Sequence, residues 1–176
     1  LQHEDAASLM VTHTIGSDPS RDYPTITDWE AATHSLGGAI YIGVLYHDDA
    51  AGLPTYTLAS GDTGYEIVGA STTATSYREI RVAAGHRYDP RTKTGVWIKL
   101  TPGSTAGTRR AFYIEDDYFR LSGVAVIDDP QGEHITGTAY GIHFATQCVD
   151  VHINRVYVEM SASFVDGTLG NAGARC

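Results

Sequence analysis

Three observations on this sequence predict an all-β fold, a parallel β-helix solenoid entered through one short helix. Short runs of Val, Ile, Thr and Tyr recur between turns, and the 176 residues include 19 Gly and 11 Tyr. β-Branched and aromatic residues favour strands, and frequent Gly breaks them at tight turns. A single segment carries helix start and stop signals. Late in the chain a strand–corner–strand unit recurs together with its corner.

Residues 1–13 read as an N-terminal extension. They lack the basic start and continuous apolar core of a signal peptide. Residues 14–39 read as a cap region. Thr27 and Glu30 stand at capping-box spacing, and Trp29, Ala32, Thr33 and Leu36 fall on one helical face. Gly37-Gly38 then stops the pattern, which predicts a helix over 28–36. Residues 40–166 read as the coils of the solenoid. Strands are expected over Ile40–Leu45, Tyr56–Leu58, 65–68, 79–83, 96–100, 111–114, 119–127, 141–144 and 149–160. In the last of these Val149, Val151 and Ile153 share a face, and Val156 and Val158 resume it after Asn154-Arg155. Residues 167–176, rich in Gly and Ala, read as a tail that continues or is held by a partner.

The repeat carries the architecture. Phe119-Arg120-Leu121-Ser122-Gly123-Val124-Ala125-Val126 matches Val151-His152-Ile153-Asn154-Arg155-Val156-Tyr157-Val158 position for position. Upstream, Ala111-Phe112-Tyr113-Ile114 matches Gly141-Ile142-His143-Phe144. The period is roughly 30–32 residues, in the range of stacked repeats. The corners are Ser-Gly and Asn-Arg, and Gly and Asn tolerate a left-handed backbone. Each unit then has a hydrophobic face that only its neighbours cover. A β-sandwich or jelly roll also shows many short strands. The recurring corner, the scarcity of Asn-Gly and Asp-Gly hairpin turns, and a helix ahead of the first coil favour the solenoid.

Composition excludes several classes. With 42% hydrophobic and 19% charged residues the chain is not a disordered one. No apolar run approaches the roughly 18 residues of a membrane helix. Twelve basic against 21 acidic residues give a net charge of −9, so neither nucleic acid nor an anionic membrane is an expected partner. The cysteines, Cys148 and Cys176, are too few for a disulfide scaffold and match no zinc spacing. Cys148 lies in a strand-like run and reads as a small buried hydrophobe, so two free thiols are expected rather than one bridge.

Ile15-Gly16-Ser17, Arg21-Asp22-Tyr23-Pro24-Thr25-Ile26 and Trp29-Glu30-Ala31-Ala32 form a motif. It resembles an opening of right-handed parallel β-helix proteins of bacteriophages and bacteria, within the broad pectate-lyase-like superfamily. Tyr46-His47-Asp48-Asp49, 69–75 and Ala83-Ala84-Gly85-His86-Arg87 look like further landmarks of that group. The resemblance spans about Thr14 to Met160. It implies a right-handed path, and as functions tail spikes, virion decorations, adhesins or polysaccharide-degrading enzymes. Fold alone does not choose among these.

The candidate chemistry is thin. Asp48-Asp49, Glu115-Asp116-Asp117 and Asp128-Asp129 could supply an acid–base pair or calcium ligands. Neighbouring strand residues point to opposite faces, so solvated turns are the expected reading. Lyases of the resembled group use a calcium-bound acidic site with an Arg or Lys base. Arg109-Arg110, Arg120 and Arg155 are available, but no lyase signature accompanies them and no catalytic residue is assigned. His134, His143 and His152 form no paired metal motif, and neither Gly-x-Ser-x-Gly nor a Gly-rich phosphate loop occurs. No metal or cofactor is expected. Tyr41, Tyr46, Tyr56, Tyr65, Tyr88, Trp97, Tyr113, Tyr118, Tyr140 and Tyr157 serve sugar stacking or a subunit interface, or else cross-strand packing.

The expectation is a non-catalytic structural or interaction protein of a phage virion or extracellular assembly: a capsid decoration, spike or fibre segment. Its partners would be copies of itself, a trimer being one arrangement, other proteins of the assembly, and a surface glycan. A polysaccharide lyase, a glycoside hydrolase or a glycan-binding adhesin acting through the β-helix face is the alternative.

Overall fold

A computed structural model describes residues 8–50, 53–58, 64–100, 107–128, 137–145 and 148–159. The elements are β1 (Met10–Ile15), α1 (Ile26–Ala32), β2 (Ile40–Leu45), β3 (Tyr56–Leu58), β4 (Tyr65–Ile67), β5 (Arg78–Val82) and β6 (Trp97–Leu100). There follow β7 (Gly107–Ile114), β8 (Arg120–Ser122), β9 (Ala125–Asp128), β10 (Gly137–Phe144), β11 (His152–Asn154) and β12 (Tyr157–Glu159). They build three sheets. Sheet A is β1-β2-β5-β8-β11, sheet B is β3-β6-β9-β12 and sheet C is β4-β7-β10. Every pairing of named strands is parallel. From β2 onward the chain visits A, B and C in turn, so each parallel partner is reached by a crossover rather than a hairpin.

The repeat read from the sequence is the observed register. Arg120, Leu121 and Ser122 pair with His152, Ile153 and Asn154. Ala125 and Val126 pair with Tyr157 and Val158, and Phe112 with Ile142. The runs 119–127 and 149–160 are each split by their corner into two strands in different sheets. In both corners the left-handed residue is the second one, Gly123 at φ 79° and Arg155 at φ 52°. Asn154, whose type suggested the role, stays in β11.

Inward side chains form rows across the rounds of chain. In sheet A, Gly43, Ile80, Leu121 and Ile153 are in register. Sheet B contributes Tyr56, Ile98, Val126 and Val158, and sheet C Ile67, Ile114 and Phe144. Ile80, Ile98, Val126, Ile67 and Ile114 are fully buried. Gly43 opens the first row to the cap: a Cβ there would stand 2.9 Å from Trp29 and 2.8 Å from Ile15. Trp29 and Ile26 of α1 are themselves fully buried.

The helix starts two residues earlier than the spacing of Thr27 and Glu30 predicts, and it ends at Ala32 with Thr33 as its C-cap, four residues short of the expected Leu36 and ahead of Gly37-Gly38. Thr25 is the N-cap: its Oγ1 accepts from the Asp28 N–H at 3.1 Å and donates to the Asp28 carboxylate at 2.5 Å. Glu30 is drawn away from any capping role because it turns inward to Arg78, whose side chain is fully buried. Arg78 Nη1 donates to Glu30 Oε1 at 2.9 Å and to the Glu30 carbonyl at 3.2 Å. Nε donates to Asp116 Oδ2 at 2.7 Å, and Nη2 to the same oxygen and, at 2.9 Å, to the Val68 carbonyl. Asp116 Oδ1 accepts from Ala70 N at 3.2 Å. Every part of the guanidinium fork is used, which is what a charge kept from water requires. Burial pushes the Asp116 carboxyl above the ordinary aspartate range, against the pull of Arg78. The expectation of a solvated turn therefore fails for Asp116, which is a buried partner clamping α1 to β5 and to the exit of β7.

β1 lies in a region the sequence reading assigned partly to an extension and partly to the cap. Its run Met-Val-Thr-His-Thr-Ile hides the alternation, because it is an edge strand with only Ile15 fully buried. Cys148 is a free, half-buried thiol outside the strands, its Sγ donating to the Ile114 carbonyl at 3.1 Å. Cys176, Asp129, His134 and the tail 167–176 lie outside the described residues. Among the described residues no helix is long and apolar enough to cross a membrane.

Candidate functional site

The outer face of sheet A carries a groove. In β2 the odd residues point inward, so Ile42 and Val44 point out and form a small apolar cluster with Ala83, joined by Ile40 and Tyr46. Around it Thr12 of β1, Val44 and Tyr46, Arg81 and Val82 of β5, and Ala83, Ala84, Gly85 and Arg87 line a concavity of about 870 Å³. The turn after β5 is closed by the His86 N–H donating to the Ala83 carbonyl at 3.0 Å.

One wall is firmly braced. The Arg21 guanidinium lies 3.7 Å from the centre of the Tyr46 ring, and His86 meets that ring edge-on at 5.0 Å. Arg21 Nε and Nη2 donate to the two oxygens of Asp48, at 3.0 and 2.5 Å. That fork holds the Asp48 carboxyl below its ordinary value. Asp48 Oδ2 also accepts from Asp18 N at 3.2 Å, and Ser17 Oγ donates to Asp49 at 3.3 Å. The His47 N–H donates to His86 Nδ1 at 3.1 Å. Three stretches far apart in sequence thus meet here: Ser17 to Arg21, Tyr46 to Asp49, and Ala83 to Arg87.

The lining is cationic. It includes Arg81 and Arg87 and no Asp or Glu, in a chain of net charge −9. Arg81 is nearly half exposed and only 3.9 Å from Glu79, a long contact. Arg87 is exposed and lies over Gly123, where a Cβ would stand 3.5 Å from its Nε.

The remaining candidate residues do not converge. Asp117 accepts from Val149 N at 2.6 Å. Asp128 is buried at the end of β9. Arg120 faces Asp150 at 3.6 Å and the Tyr77 ring at 4.7 Å. Arg155 forms a corner, and the Arg109 side chain is outside the described residues. His152 contacts Asp150 at 2.8 Å. On the flank of sheet C, Arg110 lies 3.8 Å over Tyr113 and donates to Glu66 at 3.2 Å, while His143 stacks on Tyr140 at 4.7 Å. Burial, then the Arg110 charge, lowers the His143 pKa. Tyr56 and Tyr65 pack inside, Tyr65 against Phe112; Tyr88 meets Trp97 and Tyr157. No group of three or more His, Cys, Asp or Glu side chains among the described residues is placed to hold a metal ion.

Sequence reasoning passed over Arg78, Arg81 and Arg87 as functional residues. For Arg78 a signal existed: it stands two positions before Ile80, on the inward face of its strand. No protein-family model, curated protein or solved structure matches this chain.

Proposed function

We propose that this chain is a right-handed parallel β-helix segment. It acts as a non-catalytic structural or interaction protein of a phage virion or other extracellular assembly, joined to copies of itself and to other proteins there. The A-to-B-to-C cycle of parallel strands supports the solenoid, and crossovers between parallel strands of one sheet are right-handed in nearly all proteins. One observation carries the functional reading. The acidic side chains a glycan-cleaving site would need are tied up between segments: Asp48 with Arg21, Asp116 with Arg78, Asp117 with the Val149 N–H. On the last described strands and just before them, Val149, Tyr157 and Val158 are 52%, 41% and 36% exposed, an apolar surface suited to association.

The test is light scattering of the purified chain combined with an assay of glycan depolymerisation. An oligomer without turnover is expected. A monomer that shortens a polysaccharide overturns the proposal. A glycan-binding adhesin is the second reading, favoured by the Tyr113, Tyr140 and His143 rings on the flank of sheet C. A glycan array read with the Tyr140→Ala variant tests it.

A further inference from the structure

We propose that residues 167–174 dock on the outer edge of β10 as the next parallel strand of sheet C, in register with it. This goes beyond the assembly role and stands whether or not the chain oligomerises.

The period of the sequence is the central observation. Gly-Thr occurs three times in the chain, at 107, 137 and 167, at an interval of 30 residues each time. The first two open β7 and β10 and pair with each other, Gly107 with Gly137 and Thr108 with Thr138. The connection that leads there also recurs. Leu100, the last residue of β6, pairs with Asp128, the last of β9, and β12 follows β9 as far as Glu159 on Ile127. By the same count residue 160 is the counterpart of Leu100 and Asp128. Gly107 follows Leu100 by seven residues, and Gly167 follows Met160 by seven. A connection long enough to carry one round from sheet B to sheet C is long enough for another. The interval of 30 also puts Ala172 behind Phe112 and Ile142, and Ala174 behind Ile114 and Phe144, apolar residues in apolar rows. Gly170 and Gly173 lower strand propensity, so the composition reads as a tail where the period reads as a strand.

The edge is a second, independent observation. Among the described residues β10 is the last strand of sheet C. Ala145 N donates to the Ile114 carbonyl at 2.8 Å, which assigns the odd residues at this end of β10 to β7. By the alternation of a parallel ladder the even ones, Tyr140, Ile142 and Phe144, turn N–H and C=O the other way. A row of such groups is a template for an added strand. Its own chain is the favoured occupant, because the short tether from Met160 to Gly167 gives an effective concentration of about millimolar, whereas a second copy competes only from bulk solution.

Hydrogen exchange of the full chain, read residue by residue at two protein concentrations, tests the proposal. The amides of Ile142 and Phe144 should be protected equally at both. Asn171→Pro removes the N–H that would donate to the Tyr140 carbonyl and should speed their exchange by about tenfold or more, with Ile80 and Leu121 unchanged. Should that variant fail to fold or loosen throughout, nuclear Overhauser contacts in the unaltered protein decide: backbone protons of 171–174 should lie against those of 141–144. Fast exchange of Ile142 and Phe144 in the full chain, protection that Asn171→Pro leaves intact, and contacts in another register or none each overturn the proposal. Protection that grows with protein concentration also overturns it, by assigning the edge to a second copy.

Discussion

The two ends of the strand stack are built from the same kind of unit and are held very differently. At the N-terminal end α1 places Trp29 and Ile26 in full burial, and Arg78 ties the helix to β5 and to the exit of β7. In the last described round, β11 and β12 keep the register of the strands before them, yet each β12 residue is exposed. Leu121 is 1% exposed, whereas Ile153, its partner in the same row, is only half-buried. A repeat specifies which side chains point inward. The next layer of chain supplies the burial, and with it most of the stabilisation, at about 25 cal/mol per Å² of apolar surface.

The largest break in this comparison should come from Arg78. Arg78→Met leaves Glu30 and Asp116 buried without their cation and should cost about 3–5 kcal/mol. Arg120→Met, whose ion pair is partly exposed, should cost at most about 1 kcal/mol. Urea unfolding of both variants measures the gap; equal losses would mean the two ends are equally anchored. Exchanging Glu30, Arg78 and Asp116 together for apolar residues should cost less than Arg78→Met alone, since no charge is then stranded.

Packing gives the next contrast. Trp29→Ala should lose about 3–5 kcal/mol through a cavity beside Ile15 and Gly43. Tyr157→Ala, at a side chain 41% exposed, should lose under about 1 kcal/mol.

The shared corner sharpens the comparison further. Gly123→Ala should cost about 1–3 kcal/mol, because its φ of 79° strains any side chain and the new Cβ would meet Val82 at 3.3 Å. Arg155→Gly, at the equivalent corner, should be neutral or gain up to about 1 kcal/mol, since the left-handed backbone costs Arg what it does not cost Gly. Melting temperatures of the pair show whether one geometry is enforced in both rounds.

The smallest effect is on pH dependence. The Asp48 carboxyl is depressed by Arg21, and the Asp22 carboxyl by the Thr14 N–H and hydroxyl. A carboxyl whose folded pKa lies below its unfolded value contributes stability above that unfolded value, near the ordinary 3.8, and loses it as pH falls through the folded one. Melting temperature should therefore drop below about pH 4, and Arg21→Gln should flatten the drop. An unchanged profile in that variant would detach Asp48 from acid stability.

Much of the fold was legible locally. β2 and β3 have the predicted bounds, and the register of β8 on β11 and of β9 on β12 is the repeat itself. Period-2 patterns and corners lie within a few residues of chain, where a sequence displays them directly. The helix frame was less legible, because Thr25 and Thr27 both offer a cap and only the inward turn of Glu30 toward Arg78 decides between them. β1 was hidden because an edge strand need not alternate visibly.

What the sequence determined by itself is the all-β character, the single helix, the bounds of β2 and β3 and the rows that repeat. The tertiary structure alone decided that Arg78 is buried against partners 38 and 48 residues away, and that Arg21, Tyr46, Asp48 and His86 brace one wall of a groove. The physical reason is the crossover of parallel strands: neighbours in a sheet are separated by a whole round of chain, so charge pairing and groove lining depend on how rounds stack, which no local pattern records.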